Sequence, residues 1–484
     1  MSKKLKIALF AAGGVVALLL LAMAALLLFV DVNAHKPRLE AAASDALGME
    51  VRIGGRLGIG FFPGFHVALE NVRIRNRGMD VVSAAKAAVG IELLPLLRKE
   101  VRIGRVGLKS PRISIERDRG GRFNFEKRPE ETGKKPGKEA EGTLPALYIG
   151  KVTLSDGFLA YVDRRSGEGF EAGGFELDVS RLRFSGGKNA DLLKRLSFAA
   201  DFACREFRTK ELSVSDLKIA VSGKDGVLDL TPVTMRIFGG QGSGSIRADL
   251  SGAVPLFHVR YSLSRFRFEE FLKSFSPKKT AEGPMDFSAT LTMRGNTAKE
   301  MERTADGDVT LRGEDLTLNG IDLDRALSRF EASQSFNLVD VGAFFFAGPF
   351  GPALTKGYGF ASVFQGTEGN SKIRKIVSDW KVERGVAQAK DVAMATNENR
   401  IALKGRLDFV NERFDDVTVA LIDGTGCAKI RQKIRGPFRK PEVEKASVLR
   451  SLAEPMLKLF RQTKDLFSEK QCEVFYAGSV APPK

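Results

Sequence analysis

Residues 90–126 read GIELLPLLRKEVRIGRVGLKSPRISIERDRGGRFNFE, and how they are read decides the fold. Val101 and Ile103 alternate with charged or small residues, as the inward side of a half-buried strand does. After Gly104 and Arg105 the apolar positions resume at Val106 and Leu108, one residue late. A one-residue slip turns every later side chain to the opposite face of a sheet. An unbroken apolar row therefore requires the chain to bulge or turn at the skip.

The skip recurs. The pattern apolar-x-apolar-x-x-apolar-x-apolar, with every x non-apolar, fits the windows Val101 to Leu108, Leu177 to Phe184, Leu212 to Ile219, Leu228 to Met235, Tyr261 to Phe268 and Leu316 to Leu323. At 43% apolar content, chance supplies roughly two such windows in a chain of this length. A direct echo strengthens the case: IGRVGL from Ile103 to Leu108 returns 46 positions later as IGKVTL from Ile149 to Leu154. Each copy leads through Ser110-Pro111 or Asp156-Gly157 into a second alternation, Ile113 and Ile115 or Leu159 and Tyr161. The repeated unit is a strand pair with a bulge or tight turn.

Working outward, Ile7 to Val30 carries no charge over 24 positions. A helix of that length runs about 36 Å, against a bilayer core of about 30 Å. Lys3, Lys4 and Lys6 precede it, which keeps the N-terminus cytoplasmic and places residue 31 onward across the membrane. The rival reading is a cleaved signal peptide ending near Ala22-Met23-Ala24. Its apolar region would exceed the usual 7 to 15 residues, roughly, so an uncleaved anchor is favoured. Beyond it, RLEAAASDAL at 38–47 predicts a short helix closed by Gly48.

The formal charge is +17, or +14 without the three anchor lysines. On the exported side nucleic acid is not an expected partner; anionic headgroups, an acidic polymer or plain solubility account for the excess. Three cysteines are too few for a disulfide scaffold. Cys427 and Cys472 are the candidate disulfide, leaving Cys204 as a small buried hydrophobe.

The predicted organisation is a cytoplasmic tip and anchor (1–30), a first β-region (31–126), a charged flexible linker (127–143), a middle β-region (144–275), a C-terminal β-region (284–445), and an amphipathic helix with a tail (446–484). That helix, over 446–468, places Leu449, Leu452, Met456, Leu459 and Phe460 on one face, which either covers a core or contacts a membrane. IDLDRALSRFEASQSF, at 321–336, is a second helix candidate. GAFFFAGPFGP at 342–352 is the most apolar short stretch after the anchor, read as core or as an association surface. The fold class expected is mainly β: an N-terminal transmembrane helix, then a long, curved, repetitive antiparallel sheet, groove-like, with few short helices.

No constellation for catalysis is legible. His35, His66 and His258 have no second histidine at ligand spacing, and no nucleophile elbow, zinc-protease or P-loop motif occurs. The glycine cluster FGGQGSGS at 238–245 lacks the lysine of a phosphate loop and reads as a bulged or turning strand. Asp322 and Asp324, placed on one strand face, are weak cation candidates beside the reading as a solvated face. The expectation is a non-enzyme without cofactor or metal.

VRIGGRLGIGFFPGFHVALENVRI, LLPLL and VRIGRVGLKSPRISIERDRGGRFNF follow the anchor and short helix in an order that resembles the N-terminal region of the AsmA-like family of bacterial envelope proteins. GDVTLRGEDLTLNGIDLDRAL, NRIALKGRLDF and KIRGPFRKP resemble that family's terminal domain. The resemblance implies an inner-membrane-anchored periplasmic protein of outer-membrane biogenesis, in which an apolar β-sheet groove holds or passes phospholipid. The chain is short beside the long members, so a carrier, a partial bridge or an assembly factor all stay open. The alternative is a non-transporting scaffold for outer-membrane components, with envelope assembly proteins as partners. Candidate lining residues are Val101, Ile103, Val106, Leu108, Ile149, Val152 and Leu154. Candidate contacts for anionic headgroups or a partner are Lys429, Arg431, Lys433, Arg435, Arg439 and Lys440.

Overall fold

A computed structural model describes residues 32–60, 65–92, 103–126, 143–144, 147–188, 193–273, 281–320, 322–325, 327, 369–445, 447–448 and 472–483. The predicted anchor, LLPLL, the linker up to residue 142, Val101 and GAFFFAGPFGP lie outside these. No helix among the described residues is long and apolar enough to cross a membrane. The chain divides into two compact units, Met1–Lys210 and Glu211–Lys484.

In the N-terminal unit, helix α1 (Lys36–Leu47) ends at Gly48, which adopts φ +64 as a left-handed cap. The helix lies against the first strand, β1 (Glu50–Ile53), and the turn just before it against β2 (Leu57–Gly60). Its side chains and those just before it satisfy strand amides: Val51 N–H donates to Ser44 Oγ at 2.9 Å, Ile53 N–H to Glu40 Oε1 at 2.7 Å, and Leu57 N–H to Asn33 Oδ1 at 2.9 Å. A sheet edge that would otherwise invite another strand is thereby occupied.

Both β1 and β2 pair with β3 (His66–Asn76), which forms a hairpin with β4 (Met79–Ile91) through Arg77 and Gly78, both at positive φ as a tight two-residue hairpin turn requires. Next come β5 (Ile103–Lys109) and β6 (Arg112–Arg117), both pairing with β4 on one side and with the 17-residue β8 (Leu147–Asp163) on the other. They are therefore two halves of one kinked strand. Of the two options the sequence left open at this unit, the bulge is realised. Strand β8 continues to β9 (Gly169–Phe184) and β11 (Leu196–Thr209); β7 (Thr143–Leu144) and β10 (Gly187–Lys188) form a separate short ladder.

The expectation of a wholly antiparallel sheet is corrected here, because β8 runs parallel to β5 and β6. The physical reason lies in the connection. Parallel neighbours need a crossover of roughly a dozen residues or more, and residues 118–146, which include the charged stretch, supply it. The echo in the sequence is the signature of this pairing: Ile103 faces Ile149, Val106 faces Val152 and Leu108 faces Leu154, each 46 positions apart.

In the C-terminal unit β12 (Ser213–Lys224), β13 (Val227–Ile237), β14 (Gly240–Asp249), β15 (Leu256–Arg267), β17 (Pro284–Arg294), β18 (Asp306–Asn319), β19 (Asn370–Glu383), β20 (Val386–Ala395), β21 (Arg400–Asp408), β22 (Arg413–Ile422) and β23 (Ala428–Pro437) pair antiparallel in sequence order. Short β16 (Ala281–Glu282) adds to β18, and β24 (Glu442–Val443) and β25 (Ser447–Val448) add to β23. Helices α2 (Phe268–Lys273) and α3 (Ala298–Arg303) flank them. The helix expected over 446–468 is corrected at its start, where Ser447 and Val448 extend the sheet by pairing with Arg431 and Ile430; residues 449–471 lie outside the described ones.

One face of this unit's sheet is a closed core. Phe268, Leu316, Ile373, Ile376, Ile401, Leu407, Val417 and Val419 have no exposed surface, and Trp380, 1% exposed, donates its indole N–H to buried Ser378 Oγ at 2.7 Å. In the glycine cluster Phe238 and Gly239, at φ +52 and +73, make the turn into β14, and the rest runs along that strand. A Cβ on Gly242 would stand 1.8 Å from the Tyr261 hydroxyl, so the glycines make room for that ring from the neighbouring strand.

Candidate functional site

The sequence skips are realised in the backbone. Opposite Gly104, the register shifts between Ile91 and Gly90. Arg181, Asp216 and Arg265 occupy the left-handed region at φ +54, +52 and +51 within three other windows, and β13 shifts register between Leu230 and Val233. In the sixth window Gly320, at φ +78, instead ends β18. A bulge inserts one residue without turning the apolar row to the other face.

In the N-terminal unit further bulge residues lie on successive strands: Asn71 in β3 at φ +52, Ser110 between β5 and β6 at +48, Asp156 in β8 at +51 and Gly174 in β9 at +61. Asn, Asp, Ser and Gly are suited to such turns because short polar side chains bond locally and glycine has no Cβ. Ser110 Oγ donates to Asp156 Oδ2 at 3.2 Å, tying two neighbouring bulges together.

Register then assembles the predicted lining into ladders. One runs Ile59, Val67, Val89, Val106, Val152, Val179, Ala200; the next runs Leu57, Leu69, Ala87, Leu108, Leu154, Leu177, Phe202. Each crosses seven strands, about 29 Å at ~4.8 Å per strand. Ile103 and Ile149 start a third with Ile91 and Leu182. Beyond the bulges the apolar face continues as Ile74, Val82, Ile113, Leu159, Ala172 and Phe207. Phe175, 7% exposed, lies with its ring over Gly157, where a Cβ would meet it at 2.3 Å.

Val106, Leu108, Ile149, Val152 and Leu154 are half-buried. Both contiguous clusters of buried apolar side chains found among the described residues belong to the C-terminal unit. Among the described residues the ladders thus join neither cluster, although Leu57, Ala87 and Ala200 within them are buried. The opposite face is polar. Lys151 bonds to Asp178 at 3.1 Å and holds that carboxyl below its ordinary value, Glu70 pairs with Lys86 at 3.8 Å, and Arg164 with Glu116 at 2.9 Å. Exposed pairs of this kind contribute about 0–1 kcal/mol each, so they mark the solvent side more than they stabilise it.

Val67, Leu69, Val72 and Val89 escape the pattern because Ala68, Ala85 and Ala88 stand where a polar residue was required. Leu177 and Val179 did match, and their register beside Leu154 and Val152 makes them lining.

The other candidates separate. Lys429, Arg431, Lys433 and Arg435 alternate along β23 with buried Ile430, Gln432 and Ile434, so they share a face. Arg435 is paired with Glu444, and Arg439 and Lys440 lie beyond the strand, exposed. Asp322 and Asp324 are not on a strand face. Asp322 Oδ1 accepts the Arg325 amide at 3.0 Å, capping a helical turn at 323–325, and Asp324 Oδ1 accepts from Asn399 Nδ2 at 2.8 Å and from the Thr396 hydroxyl, so both are engaged within the fold. His258 Nδ1 contacts Thr292 Oγ1 at 3.1 Å on an exposed strand. Cys427 and Cys472 are joined in a disulfide with Cα atoms 6.0 Å apart, and Cys204 is free, buried, with its thiol pushed up by that burial.

No curated protein and no solved structure matches this chain. The model of the AsmA family does, over residues 1–188 and 186–347, a span that takes in every bulged ladder of the N-terminal unit. The chain belongs to the AsmA family.

Proposed function

We propose that this protein holds lipid acyl chains against the apolar ladders of its N-terminal unit, as part of outer-membrane biogenesis, while anchored in the bacterial inner membrane by residues 7–30 with its bulk in the periplasm. The observation that carries the reading is the pair of seven-strand ladders of apolar side chains, of which Leu57, Ala87 and Ala200 are buried and the other eleven half-buried. A continuous apolar face of this extent marks an interaction surface. It favours an acyl chain by about 0.8 kcal/mol per buried CH₂ and needs no catalytic residue to do so. Membership of an envelope family supports the setting. On this reading the protein is a binder and not an enzyme.

The test is lipid extraction and mass spectrometry on the full-length chain purified from membranes, beside the double variant Val152→Asp/Leu154→Asp. Phospholipid at near-stoichiometric level in the parent, and at least tenfold less in the variant, is the expected outcome. A parent that carries no lipid would end the proposal.

A second reading, a scaffold for outer-membrane assembly proteins, is favoured by the common face of Lys429, Arg431, Lys433 and Arg435. If Lys429→Glu/Lys433→Glu abolishes envelope function while lipid occupancy stays normal, this reading replaces the first.

A further inference from the structure

The second face of the C-terminal unit's sheet is covered by the chain's own end. Val377, Ala393, Ala395, Ala402, Ala420 and Ile422 are at most 4% exposed, and the side chains over them are Tyr476 and Val480 of the segment 472–483. Four of these six are alanine, which leaves a shallow floor into which a ring and a valine settle.

The segment is held at three places. At its start, the Cys427–Cys472 disulfide joins it to the turn between β22 and β23, and Val474 makes an antiparallel bridge with Cys427. There the Phe475 and Tyr476 amides both donate to Gly426 O, at 2.9 and 3.0 Å, and a Cβ on Gly426 would collide with Tyr476 O. In its middle, Tyr476 O–H donates to Asp391 Oδ1, and the Ser479 amide donates to Asp391 Oδ2 at 3.0 Å. At its end, the Arg400 guanidinium, 6% exposed, donates to Val480 O at 3.0 Å and to Asp423 O at 2.7 Å, while lying 5.7 Å over the Tyr476 ring. Only the first of these holds is covalent, and Cys472 is exposed where a thiol reagent reaches it.

We propose that residues 472–483 form a redox-released strap: with the disulfide closed the strap stays seated, and with it reduced the strap leaves, uncovering a second apolar face. The step consumes a dithiol, which delivers two electrons and two protons; the S–S bond breaks, Cys427 and Cys472 become thiols, and the reductant closes its own disulfide. Without the bond, the holds that the described residues show on the strap are all noncovalent. The disulfide spans 45 residues, part of which stays paired in β23 to β25, so the loop-entropy figure for the whole separation, roughly a thousandfold, is a ceiling on the gain in open population.

Hydrogen exchange on the full-length chain, oxidised and after a phosphine reductant, tests this together with a thiol count. Expected are two thiols titrating in the native reduced protein, with Cys204 remaining buried. Protection at the Phe475, Tyr476 and Val480 amides should fall by a hundredfold or more, while β19 to β22 keep theirs. The Cys427→Ser/Cys472→Ser variant should show the low protection whatever the redox state. Three results overturn the proposal: strap protection unchanged by reduction, protection lost throughout β19 to β22 at once, or a disulfide that resists the reductant in the folded protein. None of these readouts depends on lipid, so the strap and the lipid reading stand or fall separately.

Discussion

The two units are written in the same strand grammar, with the same skips and the same alternation, yet their apolar faces meet opposite ends. In the C-terminal unit Leu311, Leu316, Trp380 and Val419 vanish from solvent in one buried cluster with Phe268 of α2, Leu323 and Leu327. In the N-terminal unit Val106, Val152 and Leu154 occupy equivalent inward positions and stay half-buried. The difference lies in what the chain brings back over the sheet. One unit supplies its own cover on both faces, including the strap at its end. Among the described residues the other unit shows no such buried cluster over its ladders.

That comparison breaks most sharply under truncation. Trp380→Ala should cost about 3–5 kcal/mol, since a cavity adds to the lost transfer energy. Leu154→Ala should cost only about 1 kcal/mol, because part of the side chain is already in water and no sealed cavity forms. Denaturant midpoints with unchanged slope would check both, and equal losses would place the ladders in a core after all.

A smaller effect concerns the bulges. Asp156→Val forces a β-branched side chain into the left-handed region, at about 1–2 kcal/mol, whereas Asp156→Gly should be tolerated with little loss. Thermal melts of the pair sharpen the claim that the bulge, not the aspartate's charge, keeps the row in phase. If both variants melt alike, the backbone conformation is not what matters there.

The smallest effect separates the strap from the sheet by acid. Burial pushes the Asp391 carboxyl up, but the bonds from Ser479 and Tyr476, with Arg312 nearby, outweigh it and hold the carboxyl below its ordinary value. Its neighbour across the ladder, Asp379, is engaged with Arg312 at 2.6 Å. A depressed carboxyl contributes stability that is complete above the unfolded value near ~4 and lost as the pH falls through the folded one. Normalised exchange protection at Ser479 and Val480 should therefore decline below about pH 4, and Asp391→Asn should flatten that dependence. The N-terminal ladders carry no ionisable side chain themselves, but Asp178 between Leu177 and Val179 is also held low by Lys151, so the strap's acid response is read from the Asp391→Asn comparison.

Much of the apolar face was legible in the sequence. Alternation with a skip is a local property, and it located Val106, Leu108, Val152 and Leu154 because a strand's two faces are fixed by a period of two residues. The echo of 46 positions announced that two segments are equivalent, and their register makes them neighbours. What the pattern missed, it missed for a chemical reason: alanine at Ala68 and Ala88 is small enough for either face, so it blurs the alternation around Val67 and Val89. The parallel sense of β8 was illegible, because antiparallel and parallel strands share the same alternation. Asp324 misled as a strand residue, since IDLD alternates as well as any strand but its carboxylate is used by Asn399, 75 positions away.

The amino-acid sequence by itself determined a mainly β chain with one apolar side per strand, kept in phase through bulges, because those properties follow from the order of residues over eight or so positions. Only the tertiary structure decided which apolar sides joined a buried cluster and which are half-buried ladders, and that residues 472–483 strap down one face of the C-terminal sheet. The reason is physical: covering a face takes atoms from distant parts of the chain, and no local period records where they return.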